Sequence, residues 1–581
     1  MILKFCRRPF VFLLIASAEF SCQKKAVGPP PRYAVVRFEN LSGDPSLEWA
    51  GRAASELLPV SLAGAMDGPV LNAAALERLA PLLGARPAAA PGISSERAQA
   101  VLAGATRIFS GYVDRAGGAI RVVANEEDVP SGKSLRVVSA EDASFLDAIV
   151  KLAREVSPRA RPLPTGNENA ARLFASALET PADAAKGDLE QATRMDPDFG
   201  PAWLALARVE MVQSDRSAAA SVIDQARLHK LDALTLAGLD LEAAMLKGEP
   251  AAARIAAERR IAALSPADTT LLRSVAQSEI EAGEFAAGAA DWKKLTDALP
   301  GDSLAWNSLG YARSYAGDYA GALAAFREYA RLRPADANPL DSMGDLNYSY
   351  RKFGEAAASY LQASAKNPAF ERYGDLYKAA WAKFNAGDRA GADALFEKFR
   401  AARDKANDPL TVLFAADWLY RTGHPEDGVK SLRQAVASTA QAALRANGYS
   451  QLAVWDLLAG DRAKAAADAA AAGPVASTPA LIARFSALPS APPAEWETRA
   501  ERMLAGPAVA GLRQLALGYA LLLDGKREAA LPVWGKIAAQ TRATDFFIHA
   551  IDTRLRGKQL DHPLLPDPNA FNQFAALPER L

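Results

Sequence analysis

The stretch Ala305-Trp306-Asn307-Ser308-Leu309-Gly310, followed by Gly317-Asp318-Tyr319, Ala322, Phe326 and Pro334, decides the fold. Pro300, Pro334 and Pro368 stand 34 residues apart, and the same interval joins Val275, Leu309 and Met343. It also joins Phe285, Tyr319 and Phe353, then Gly288, Ala322 and Ala356, then Trp292, Phe326 and Tyr360. Five series at one interval make a repeated two-helix unit, and each residue type has a physical task in it. Small residues such as Ala322 sit where the two helices cross closely, and Trp292, Phe326 and Tyr360 fill the gap to neighbouring helices. Gly283 and Gly317 end the first helix of their units, and the prolines stop the second.

The unit around Trp306 resembles the tetratricopeptide repeat, with Tyr329 standing where that pattern usually has a small residue. Earlier copies run from Ala202-Trp203 to Asp215 and Ala219, and around Leu241–Pro266. Later ones surround Gly387-Asp388 with Phe396, Gly423, Gly460-Asp461 with Ala465, and Leu517-Gly518 with Gly525, Ala530 and Trp534. Roughly ten or eleven copies are expected over residues 167–541, degenerate at both ends as capping units are. The expected fold is therefore mostly α, an α-solenoid of tetratricopeptide repeats preceded by a small α/β domain. The resemblance implies a superhelix whose concave face is built mainly from the first helix of each repeat. Arg273, Gln277, Asn307, Tyr311, Tyr315, Asp341, Asp345, Tyr348, Tyr377 and Trp381 are the candidates to line it. Aromatics beside amides and carboxylates suit an extended peptide, giving contact area at low entropic cost and partners for its backbone. Some of these tyrosines are equally suited to packing between repeats. The basic clamp that some tetratricopeptide domains use for a C-terminal carboxylate is not evident, because Asp341 and Asp345 carry the wrong charge.

The chain has 581 residues, more than one hydrophobic core normally organises. Its 67 basic and 67 acidic residues leave no excess to track a phosphate backbone, which disfavours nucleic acid. Lys4, Arg7 and Arg8 precede an apolar run from Pro9 to Ala18 that ends at Glu19, the pattern of a secretory signal over residues 1–21 and too short for a membrane span. Ala16-Ser17-Ala18 suits a general signal peptidase. Ser21-Cys22, followed by Gln23-Lys24-Lys25 and a proline-rich linker over 22–32, resembles a bacterial lipoprotein start, although Glu19 and Phe20 depart from the lipobox. Both cleavage sites stay open, and Cys22 is the candidate for lipidation and membrane attachment. Cys6 falls inside the signal, so the mature chain has no pair for a disulfide and no thiolate cluster. Removing residues 1–21 leaves 64 basic against 66 acidic residues, and no later stretch reads as a transmembrane helix. The expected location is exported, either periplasmic or lipid-anchored to a bacterial membrane.

Residues 33–158 read as a small α/β domain. Tyr33–Phe38 is a strand, Ser46 a cap for a helix starting near Leu47, and Val70-Leu71 a second strand. Helices around 73–82 and 95–102 follow, then strands 107–113 and 119–124 about the turn Arg115-Ala116-Gly117-Gly118, a strand over 134–139 and a helix over 143–156. Phe38-Glu39-Asn40-Leu41-Ser42-Gly43-Asp44-Pro45 and Leu102–Val113 resemble the two recognisable segments of the TolB amino-terminal-like domain. That resemblance implies an accessory module without established chemistry. Glu126-Glu127-Asp128, beside Pro130 and Gly132, reads as a solvated turn.

No catalytic constellation is present in the sequence. His229, His424, His549 and His562 show no paired metal-ligand spacing, and there is no nucleophile elbow, phosphate loop or dinucleotide fingerprint. Nothing calls for a cofactor or a metal. The expectation is a non-catalytic interaction scaffold of the cell envelope that binds a protein or peptide. The alternative is a sensory accessory protein whose N-terminal module receives a signal and whose repeats relay it. Residues 542–581 read as a C-terminal cap and tail, with Phe571 and Phe574 docking onto the last helices.

Overall fold

The computed structural model describes residues 30–71, 76, 93–213, 215–265, 268–473, 477–506, 509–569 and 571–581. The expected signal, Cys22, most of the proline linker and the helix expected over 73–82 lie outside them, apart from Leu76. The described residues form two compact units, one ending at Leu163 and the other running from Pro164 to Leu581.

The first unit contains strand β1 (Tyr33–Val35), β2 (Glu39–Asn40), helix α1 (Glu48–Leu62), β3 (Val70–Leu71), α2 (Ile93–Leu102), β4 (Arg107–Ala116), β5 (Ala119–Asp128), β6 (Lys133–Asp142) and α3 (Phe145–Val156). The sheet runs in the order β3-β1-β4-β5-β6, with β2 also on β4. β1 is parallel to β3 and β4, and β4, β5 and β6 are antiparallel. Ile120, Val122 and Ala124, on the covered face of β5, are buried, and Val123 on its other face is buried as well. α3 supplies the cover through Phe145, Ile149, Leu152 and Val156, and the Ser144 hydroxyl caps it by accepting from the Asp147 N–H at 3.1 Å.

Two local expectations need correction. Ser46 does not cap α1, because a short 3₁₀ turn over Pro45–Leu47 intervenes and Asp44 accepts the Ser46 N–H at 2.9 Å. Glu126-Glu127-Asp128 is the end of β5 rather than a solvated turn. Glu126 is buried and receives Arg136 Nε at 2.6 Å, while Glu127 pairs with Arg97 and Asp128 with Arg107. The arginines come from three other elements, so the compensation is not visible in the local sequence.

The second unit is an α-solenoid of tetratricopeptide-type helix pairs, eleven of them among the described residues. The first four are α4/α5 (Glu168–Ala177, Ala182–Met195), α6/α7 (Gly200–Val212, Arg216–Ala226), α8/α9 (Ala233–Lys247, Ala251–Leu264) and α10/α11 (Thr269–Ala282, Phe285–Ala298). The central three are α12/α13 (Ser303–Tyr315, Tyr319–Leu332), α14/α15 (Asn338–Ser349, Phe353–Lys366) and α16/α17 (Gly374–Asn385, Arg389–Lys405). The last four are α18/α19 (Thr411–Arg421, Pro425–Ser438), α20/α21 (Ala442–Leu458, Arg462–Ala471), α22/α23 (Thr478–Ser486, Pro493–Met503) and α24/α25 (Ala510–Leu523, Arg527–Gln540). α26 (Phe546–Leu555) and a final short helix, α27 (Leu577–Arg580), follow.

The turn inside a pair has a repeated solution. Gly317 takes the left-handed φ of +85° that closes the first helix, and Asp318 caps the second by accepting the Gly321 N–H at 2.8 Å. Asp388 and Asp461 repeat the cap at 2.9 and 3.0 Å. Close crossing of the helices is enforced by Gly310 and Gly344. A Cβ at either position would lie 2.4 Å from the ring of Phe326 or Tyr360, both fully buried. The 34-residue series is thus a packing rule, with an aromatic of the second helix seated on a small residue of the first.

A candidate peptide-binding face

The expected face residues divide by position. In the central pairs they bond to one another. Asp345 on α14 accepts from Tyr311 OH of α12 at 3.0 Å and from Tyr360 OH of α15 at 2.8 Å. Lys378, buried on α16, donates to Asp341 at 2.7 Å and lies 3.3 Å from Asp345 and 3.4 Å from Glu371. Asn307 accepts from the Ser342 hydroxyl at 3.1 Å. Burial, with Asp345 beside it, pushes the Asp341 carboxyl well up; Asp375, also buried nearby, is pushed up to about 6, chiefly by burial. Lys378 is held charged by the surrounding carboxylates against the cost of its own burial. Tyr348 is buried against Phe353, and its hydroxyl accepts from Asn385 at 2.9 Å. Tyr377 and Trp381 are buried in an aromatic cluster with Phe399, Phe414 and Trp418, with Arg421 stacked 4.3 Å from the Trp381 ring. These two aromatics pack between repeats, as does Tyr348.

Arg273, ion-paired with Asp302 and 5.5 Å from the Trp292 ring centre, is also engaged within the array. Gln277 is exposed and donates to Glu281 of its own helix at 3.1 Å. Tyr315 lies between Phe285 and Phe546 at 5.4 and 5.1 Å.

The Phe546 contact begins a path that sequence reasoning did not anticipate. The Ala543 N–H donates to the Glu281 carbonyl at 2.8 Å, bringing the end of the chain onto the first helix of the fourth pair. From there it passes over successive pairs, touching first helices and also Arg403 of the second helix α17, and after reaching α24 it returns to α18. Arg351, just after α14, donates to the Leu560 carbonyl at 3.1 Å, and the His562 ring nitrogen lies 2.9 Å from the Ser349 carbonyl. Arg403 donates to the Pro568 carbonyl at 2.9 Å. Phe571 meets Phe414 of α18 edge-on at 5.5 Å. Gln451 of α20 donates to the Gln573 carbonyl at 3.1 Å, and Phe574 stacks on Tyr519 of α24 at 4.0 Å. Arg421 holds Glu579 at 2.6 Å. Among the described residues, 558–572 form no helix or strand and 573–576 turn into α27, so most of this stretch is irregular chain held by side chains. Phe574 does dock on the last pair, as expected, whereas Phe571 docks much earlier, on α18.

Arg351, Arg403, Arg421, Gln451 and Tyr519 are the contact residues that sequence reasoning missed. The available signal was in the tail itself, where Pro563, Pro566 and Pro568 favour extended backbone and Phe571 and Phe574 supply anchors three residues apart.

No protein-family model and no curated protein matches the chain. Solved structures to which it is similar include MamA, at 18% identity over 30% of this chain and 92% of that one, with a TM-score of 0.26. Others are the C-terminal part of a TPR repeat-containing protein from Cytophaga hutchinsonii, at 17% identity over 40% and 93% with a TM-score of 0.33, and yeast Tom70, at 11% identity over 71% and 92% with a TM-score of 0.31. No helix among the described residues is long and apolar enough to cross a membrane.

Proposed function

We propose that this chain is a non-catalytic scaffold of the bacterial cell envelope that binds a protein partner through an extended segment laid along the first helices of its repeats. The observation that carries this reading is the tail. The array receives an irregular stretch of polypeptide, with Gln451 on a first helix, Arg351 just after one and Arg403 on the second helix α17 donating to its carbonyls, and aromatic rings of the first helices α18 and α24 seating its phenylalanines. Such donors recognise backbone in any sequence, and the aromatic seats add selectivity. The first unit, which resembles the TolB amino-terminal-like domain, serves as the accessory module. The residue 1–21 leader exports the chain, and lipid on Cys22 holds it at the membrane.

The test is photo-crosslinking in envelope extract, with a photoreactive residue at Gln277 or Asn307 on first helices and at Lys293 or Arg331 on second helices. A discrete protein adduct from the first-helix positions alone is expected. Adducts only from the second-helix positions would overturn the assignment of the face. Palmitate labelling that persists in Cys22→Ala would overturn the anchor.

A further inference from the structure

We propose that the chain's own residues 558–581 are a displaceable ligand of this face, and that a partner enters by replacing them with a segment of the same chemistry. This deepens the reading above and rests on it. The segment that would leave has a clear beginning. α26 is fixed to the array by Ile551 and Leu555, both buried, and Gly557 then turns with a left-handed φ of +72°. Lys558 and Gln559 beyond it are exposed, and the remaining chain is joined to the array by this one covalent connection.

The array's side of the contact is built to survive release. Arg403 keeps Asp408, at 2.6 and 3.0 Å, when Pro568 leaves. Arg421 keeps Asp417 at 3.3 Å and its stacking on Trp381 when Glu579 leaves. Arg351 and Gln451 return to water. No array charge is stranded without a partner, which is the usual obstacle to opening a buried polar contact. What release uncovers is apolar, chiefly Phe414 and Tyr519, together with the buried cluster around Trp496 and Trp534 that Phe574 and Leu577 complete. Uncovered aromatic surface of this kind is what a partner's segment would cover again.

The replacement ligand is specified by the contacts. It needs a stretch with free carbonyls opposite Arg351 and Arg403, two aromatic or large apolar residues at the spacing of Phe571 and Phe574, and a carboxylate placed as Glu579 is. Because the resident segment is tethered, it competes at an effective concentration on the order of millimolar. A free peptide of equal intrinsic affinity is therefore excluded from the intact chain.

The experiment uses the full chain with a protease site placed at 558–559, and a fluorescent synthetic peptide of residues 558–581 as the probe. After nicking, the labelled peptide should exchange with the cut tail and bind saturably, with the helical circular dichroism unchanged. The intact parent should bind the probe at least ~30-fold more weakly, because the tether favours the resident segment. Intact Phe571→Ala/Phe574→Ala, whose own tail competes poorly, should bind it nearly as well as the nicked protein. Loss of helical signal on nicking would show that the segment belongs to the fold and overturn the proposal. So would a cut tail that never exchanges, or an intact parent that binds the probe as well as the nicked chain. If peptide exchange succeeds and first-helix crosslinking finds no partner, the scaffold reading fails while the site stands. If a partner is captured equally by parent and tail variant, the reverse holds.

Discussion

The central pairs and the last four pairs close the same face in different ways. Across α12, α14 and α16 the first helices satisfy one another through Tyr311, Asp345, Tyr360, Lys378 and Asp341. Across α18, α20 and α24 they are satisfied by a separate stretch of chain, through Phe414, Arg421, Gln451 and Tyr519. The repeat interval does not follow this division. The first helices α12, α14 and α16 start at Ser303, Asn338 and Gly374, 35 and 36 residues apart, and α18, α20, α22 and α24 start at Thr411, Ala442, Thr478 and Ala510, 31, 36 and 32 apart.

Lys378→Met should separate the two regions most strongly. It leaves Asp341, Asp345 and Glu371 without their cation, and removal of one member of a buried ion pair costs about 3–5 kcal/mol. Urea denaturation followed by circular dichroism should show that loss. Phe571→Ala/Phe574→Ala should do the opposite, leaving the central pairs as stable as before while residues 558–581 become rapidly cleaved by protease. Gly344→Ala tests the packing rule behind the interval, since its methyl would meet the Tyr360 ring at 2.4 Å; a loss of about 1–3 kcal/mol is expected, against a tolerated change at exposed Gly354.

Two smaller effects sharpen the contrast. Asp375 has its carboxyl raised to about 6, so the native state binds an extra proton between the unfolded value near 4 and that point. Its contribution is complete at low pH and is lost as pH rises through about 6. Melting temperature should therefore fall less from pH 4.5 to 7 in Asp375→Asn than in the parent. Asp318→Ala removes one helix cap and should cost about 1 kcal/mol by denaturant titration.

The solenoid was legible because its packing is written at a constant interval in residue types, as in Gly310 under Phe326 and Gly344 under Tyr360. The α/β unit was legible in its strands and helices but not in its charges, since Glu126, Glu127 and Asp128 meet arginines distant in sequence. The bonding among the face candidates was not legible. Asp341 and Asp345 read as solvent-facing carboxylates because Lys378, their cation, lies a full repeat away on the far side of a helix pair. The tail's destination depends on the path of the array, which no local pattern encodes.

The most direct test replaces Phe571 with a photoreactive phenylalanine analogue in the intact chain, followed by irradiation and mapping of the adduct. An intramolecular adduct on α18, around Phe414, is predicted, with its yield falling when the 558–581 peptide is added in large excess. Adducts confined to the last pair, or scattered over exposed surface, would contradict the placement of the tail along the repeats and with it the account of the face.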